Sequence, residues 1–408
     1  MTTTTTLIHR PYDGPRQWWR QALVYELASP GLGAADLERT GPLLDHVASL
    51  GLDTVLVRPS LVDTDTEADA VADFTGHAHQ RGIRVLARVS GALGPVTGPH
   101  TQHDTRIVTG RETEGEDLLR RAEAFLAAGA DGIDLGMIAP PEVRQDTDLE
   151  VLSAYFTLLR RTVTRYVSEG VIGADVSTDY PDSLRHHLQE DWVHHLRDDY
   201  LALARWDASS LTSHLSRSLN EHDQFQAPPT WRHLPSHAVL AEMAPGDGRR
   251  WYSASREERL RRANALQTMM LALPGSIYLR QGDEIALADQ DKPGSPLELA
   301  DLVSRQAQQQ ASQFGSPVAT VRHAAHLRRE NDLAGAPLAF VSGLEWCPQQ
   351  ALTFLVRGLL VLVNTSSAPV VLPQEARVLL ASSPLSQDEA NLLVPTATTT
   401  WIEASTVA

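Results

Sequence analysis

The stretch from Asp53 to Val89, DTVLVRPSLVDTDTEADAVADFTGHAHQRGIRVLARV, decides the fold class. Asp53 to Val57 is a short buried-strand pattern. Arg58-Pro59 closes it, because proline lacks the N–H that would extend a strand ladder. Glu67 to Arg81 carries a helical pattern, Gly82 stops it as glycine commonly does past a helix C-terminus, and Ile83 to Val89 is a second strand. Strand, helix and strand in so short a space predict two parallel strands joined by a helical crossover.

The same alternation runs outward in both directions. Ala22 to Leu27 is a strand pattern and Leu43 to Leu50 an amphipathic one. Glu116 to Ala128 reads as a helix, Asp131 to Met137 as a strand, Leu149 to Ser168 as a long helix and Val171 to Asp175 as a strand. Helices over 208–219 and 256–273 and a strand over Ser276–Arg280 complete the series. About eight such units in some 310 residues suit a closed (β/α)8 barrel, a TIM barrel, better than an open sheet. Past residue 334 the pattern changes. Ala351–Val356, Leu359–Val363 and Pro369–Pro373 are short runs separated by turn residues, which predicts an antiparallel β-sandwich. The expected organisation is therefore a disordered tail over 1–16, a barrel over 17–333 and a β-sandwich over 334–408. The threonine run Thr2–Thr6 motivates the tail.

Composition narrows the function. The chain has 408 residues, with Lys+Arg 35 against Asp+Glu 51 and a net charge of −16. Lys292 is the only lysine. So acidic a chain disfavours nucleic acid and anionic membranes as partners, since both require clustered positive charge. Cys347 is the only cysteine, which excludes an internal disulfide and any multi-cysteine metal site; no metal or other cofactor is expected. No run of 18 apolar residues occurs and no apolar signal core opens the chain, so a cytoplasmic location is expected.

Several segments resemble the α-amylase superfamily, glycoside hydrolase family 13. Trp18 to Tyr25, WWRQALVY, resembles its opening motif, and Ala48 to Pro59 its second strand. His77 to Ala87 resembles the approach to its third strand, and Phe125 to Leu135, FLAAGADGIDL, its fourth. Leu271 to Leu287, LALPGSIYLRQGDEIAL, is the most specific match and is similar to the α-glucosidase branch. The resemblance implies a barrel with its site at the strand C-termini and a retaining mechanism. That mechanism uses an aspartate nucleophile and a glutamate acid/base, two carboxyls about 5 Å apart.

Every motif that should carry this chemistry is altered. Arg88, Ala92 and Leu93 stand where the third-strand motif has Asp, Asn and His. Asp134 and Gly136 occupy the Arg and nucleophile places of the fourth strand, and Ala174 the acid/base place of the fifth. The seventh-strand motif falls near His237 without supplying an aspartate. Only about 40 residues separate the third and fourth strands, so the family's separate B domain is expected to be reduced or absent. The leading expectation is a catalytically inactive relative with no catalytic residues. It would act as a regulatory partner of an active homologue, as a homo-oligomer, or as a binder of α-glucan or small oligosaccharides. The alternative is an active glycosidase or transglycosylase with relocated carboxylates drawn from Asp134, Asp175 and Asp283, with His237 as a further candidate site residue. An Arg88–Asp134 ion pair is expected across neighbouring strands, and Asp175 is expected to face the helices or solvent. Asp283 and Glu284 are expected to close the barrel rather than to react.

Overall fold

The computed structural model describes residues 2–27, 34–59, 64–89, 112–138, 149–176, 181–232, 254–288, 291–388 and 391–407. Residues 4–9 do not form a loose tail. Thr4–His9 is strand β1, paired antiparallel with β10 (Leu338–Ser342) from the far end of the chain. The threonine run looks like low complexity, yet its β-branched side chains suit a strand once an open sheet edge lies beside it. That edge is supplied by residues more than three hundred positions away, which local reading cannot see.

Eight parallel strands follow in one sheet: β2 (Leu23–Glu26), β3 (Thr54–Val57), β4 (Arg84–Arg88), β5 (Gly132–Met137), β6 (Val171–Val176), β7 (His195–Asp198), β8 (Thr230–Arg232) and β9 (Ser276–Arg280). Their order is β7-β6-β5-β4-β3-β2-β9-β8, with helices between successive strands, which is the nearly closed (β/α)8 barrel expected from the alternation. Strands β7 and β8 were not legible as strands. Both are very short, and His195-Leu-Arg-Asp198 has no apolar run.

Strand periodicity of two sorts the side chains. Val55, Val57, Val85, Ala87, Ile133, Leu135, Ile172 and Ala174 face outward into the large core shared with the helices. Val24, Leu56, Leu86, Val171 and Tyr278 face inward and pack with Trp19 and Ala22 in the barrel's lower interior. Gly275 opens β9 at φ +87, where a Cβ would stand 1.9 Å from the Pro229 carbonyl oxygen, so only glycine fits. Its carbonyl, with those of Leu271 and Leu273, accepts from the buried guanidinium of Arg328, which ties the barrel to the helix Pro317–Glu330.

The remaining strands are β11 (Leu352–Val356), β12 (Leu359–Asn364), β13 (Val370–Val371), β14 (Val378–Ala381), β15 (Ser386–Asp388), β16 (Asn391–Val394) and β17 (Thr398–Glu403). They make two antiparallel sheets, β1-β10-β11-β12-β17-β14 and β13-β16-β15. Trp401 and Thr399 of β17 bond to carbonyls of Thr268 and Ala265 on the helix Arg256–Ala272, so this layer docks directly on the barrel. Among the described residues, no helix is long and apolar enough to cross a membrane.

Candidate functional site

The site is built from inward residues towards the carboxyl ends of the barrel strands. Reading from β2 to β9 these are Glu26, Arg58, Arg88, Asp134, Asp175, Arg197, Arg232 and Arg280, with Arg58 one residue past its strand. Strand periodicity places one ionisable group at the carboxyl end of every strand. Seven of them form a single buried lattice.

Asp134 accepts from Arg88 Nε at 2.7 Å and from the backbone N–H of Gly136 at 2.9 Å, and lies 2.6 Å from Arg197 Nη2. Asp175 accepts from Arg197 Nε at 2.5 Å, from Arg232 Nη1 at 3.0 Å and from Arg88 Nη2 at 3.4 Å. Glu26 takes both oxygens' contacts from Arg232 Nη2 at 2.5 Å, and Arg58 Nη2 bonds to its Oε1. The expected Arg88–Asp134 pair is present, but as one edge of a larger net. Glu26, Arg58, Arg197 and Arg232 were not singled out from the sequence. The available signal was a charged residue closing each strand pattern.

Two expectations are corrected. Asp175 does not face the helices or solvent: it points into the barrel, with its side chain only 6% exposed. Ala174 is the outward neighbour, so the inward place at the end of the fifth barrel strand holds an aspartate and not an alanine. In a strand a shift of one residue reverses the face. Gly136 adopts φ +64 and supplies only its N–H to Asp134. Residue His237 lies outside the described residues, as do Ala92, Leu93 and the rest of 90–111.

Below the lattice sits a neutral support. His195 is fully buried; its Nε2–H donates to the Trp19 carbonyl at 2.6 Å and its Nδ1 accepts from the Tyr278 hydroxyl at 2.8 Å. Burial pushes its pKa down to about 3, so the ring is uncharged. The Arg197 guanidinium lies 4.4 Å over the Tyr278 ring, a cation–π contact that carries this floor up to the ions.

Burial would raise the pKa of Asp134 and Asp175, since it penalises the charged form. Arg197 first, with Arg88 and Arg232, more than reverses this, and both carboxyls are held below the ordinary carboxylate value. Both therefore stay ionised and ion-paired to the surrounding guanidinium groups. The one carboxyl of this region pushed upward is Asp198, to about 6, chiefly by burial. It faces away from the mouth, accepting from Ser218 Oγ at 2.6 Å on the helix Ala208–Gln224.

Asp283 and Glu284 are structural, as expected. Glu284 accepts from Tyr25 Oη at 2.6 Å and from its own Gly282 N–H at 2.8 Å, with His46 Nε2 at 3.2 Å; Asp283 accepts from Lys292 at 3.1 Å. Among the described residues, no group of three or more metal-ligating side chains converges.

Gly173 on β6 is part of the design. A Cβ there would lie 2.6 Å from Asp134 Oδ2 and 3.2 Å from Arg197 Nη1. Gly173→Ala is expected to lower unfolding free energy by about 1–3 kcal/mol through overpacking. Chemical denaturation followed by circular dichroism measures it, and a wild-type midpoint would contradict the described closeness.

No family model matches the chain, and no curated protein sequence does. Solved structures do. An α-glucosyl transfer enzyme, XgtA, aligns at a TM-score of 0.62 and 16% identity over 95% of this chain and 100% of that one. The type III pullulan hydrolase from Thermococcus kodakarensis aligns at 0.57 and 16% identity, over 95% of this chain and 83% of its own. An α-amylase from Geobacillus thermoleovorans aligns at 0.55 and 12% identity, over 95% and 99%. At these identities the likeness is one of fold.

Proposed function

We propose that this chain, whose fold is that of the α-amylase enzymes, is a family 13-like protein that does not cleave glycosides and acts as a carbohydrate-binding or partner-regulating protein. The observation that carries this is the ion pairing of the inward carboxylates among the described residues. A retaining glycosidase needs one carboxylate free to attack and one carboxylic acid able to donate a proton. Asp134 and Asp175, the relocated carboxylates the alternative requires, are both inward. Each is bound by at least two guanidinium groups and held ionised. Carboxylates engaged on two or three guanidinium groups are held away from an attacking position, and a carboxylate that stays ionised donates no proton. Regulation of an active homologue or of a second copy, and work inside the cell, belong to the same proposal.

Incubation of the full chain with p-nitrophenyl α-glucoside, maltose and trehalose tests it. No product above the buffer rate is expected over a day at pH 5 to 8. Sustained release of glucose or p-nitrophenol by the wild type, at a rate proportional to protein across separate preparations, would overturn the reading.

A further inference from the structure

Among the described residues the ion lattice does not balance. Arg58, Arg88, Arg197 and Arg232 bring four positive charges, while Glu26, Asp134 and Asp175 bring three negative ones, an excess of one. None of the seven side chains is more than 14% exposed. An uncompensated charge so deeply withdrawn from water is costly, and proteins remove the cost with a counter-charge. The neighbouring His195 is neutral and changes the balance in neither direction.

The excess is matched by donors without acceptors. Among the described residues, Arg58 Nε, Arg88 Nη1, Arg197 Nη1 and Arg232 Nε are buried without a hydrogen-bond partner, as is Arg197 Nη2, which lies only at ion-pair distance from Asp134 Oδ2. Buried guanidinium N–H groups are ordinarily satisfied, so such a set on one cluster points to a missing acceptor. The arginines also repel one another. Burial foremost, and then Arg88 and Arg232, lower the pKa of Arg58 well below its usual value. Water could satisfy the N–H groups but not the charge.

We infer that the mouth of the barrel binds an anion, the phosphate or carboxylate group of a small sugar-sized ligand, on Arg58 and Arg232. Planar guanidinium groups match oxyanions better than they match a halide, because two N–H vectors meet two oxygens. Arg58 is the receiving residue. Its side chain is the most open of the four at 14%, and it shares Glu26 Oε1 with Arg232. The strand carboxyl ends are where barrels of this architecture hold ligands. The sugar part of the inference rests on the reading proposed above; the anion part stands on the lattice alone.

Calorimetric titration of the full chain at constant ionic strength tests it, with glucose 1-phosphate, glucuronate, inorganic phosphate and maltose as probes, alongside thermal melts. Saturable binding of the anions is expected, at least ten-fold weakened in Arg58→Gln and retained in Arg58→Lys. Arg58→Gln leaves three charges against three, so without anion its Tm should equal or exceed that of the wild type, while the anion-dependent rise in Tm disappears. A purely structural Arg58 would instead lower Tm in every buffer, which would overturn the inference. Tighter binding of glucose 1-phosphate than of inorganic phosphate identifies a sugar-borne group; equal binding identifies the free ion and supports the anion site without the sugar. Absence of saturable anion binding, or binding unchanged in Arg58→Gln, overturns it. Hydrolysis of a neutral glucoside with anion binding intact would sink only the earlier reading.

Discussion

Asp175→Ala is expected to destabilise the barrel by about 3–5 kcal/mol, the cost of removing one partner from a buried ion pair. The substitution removes the acceptor of Arg197 Nε and Arg232 Nη1 and raises the lattice's excess from one positive charge to two. Against a total stability of about 5–15 kcal/mol for a folded domain, that is a large fraction, so the variant should accumulate poorly and melt far below the wild type. A second substitution, Arg232→Met, should recover part of the loss, because it takes away one of the orphaned cations. Such recovery is the non-additivity expected of groups in one network. Denaturant unfolding of the two single variants and the double variant reads this directly. Wild-type stability in Asp175→Ala would show that the lattice is not formed. An active enzyme predicts the opposite profile, with fold preserved and turnover lost.

Acid should unfold the protein well above the range in which carboxylates ordinarily protonate. Burial, above all other causes, lowers the pKa values of His187 and His195 to about 3 and of His194 to about 4. His187 stands in an aromatic cage with Phe156 and Trp192, where a charged ring would be poorly solvated. Between about pH 6 and 4 the unfolded chain binds protons on these three rings and the folded chain does not. Stability is then present above the ordinary histidine value and is lost as pH falls towards the folded values. Asp198 acts in the other direction. Its folded pKa of about 6 lies above its unfolded one, so in the same window the folded state holds one proton more. The net difference of about two protons predicts a loss of about 3 kcal/mol per pH unit. Asp134 and Asp175, with depressed values, keep their contribution through this window and lose it only below the ordinary carboxylate range. Thermal melts from pH 7.5 to 4.5 should show a steep fall in Tm beginning near pH 6; a flat profile down to pH 5 would contradict the buried neutral histidines.

The barrel was legible because its signals are local. Gly82 ending a helix, Asp53–Val57 as an apolar run and the repeated return of that pattern need no knowledge of what lies across the fold. The C-terminal strands were legible for the same reason. The N-terminal strand escaped because its partner, β10, lies at the other end of the chain. Asp175 escaped because a one-residue error is invisible in a list of residues and decisive in a strand, where it exchanges the barrel interior for the helical shell. Arg197 and Arg232 escaped because the strands that carry them are four and three residues long, too short to show a period.

What the sequence by itself determined is the inventory: repeated strand–helix units, an antiparallel module behind them, and charged residues near the ends of several strand patterns. Only the tertiary structure decided what those charges do. Periodicity fixes which face of a strand a side chain occupies. The curvature that brings eight strand ends around one axis decides which side chains meet, and so turns scattered arginines and aspartates into a lattice carrying one positive charge too many.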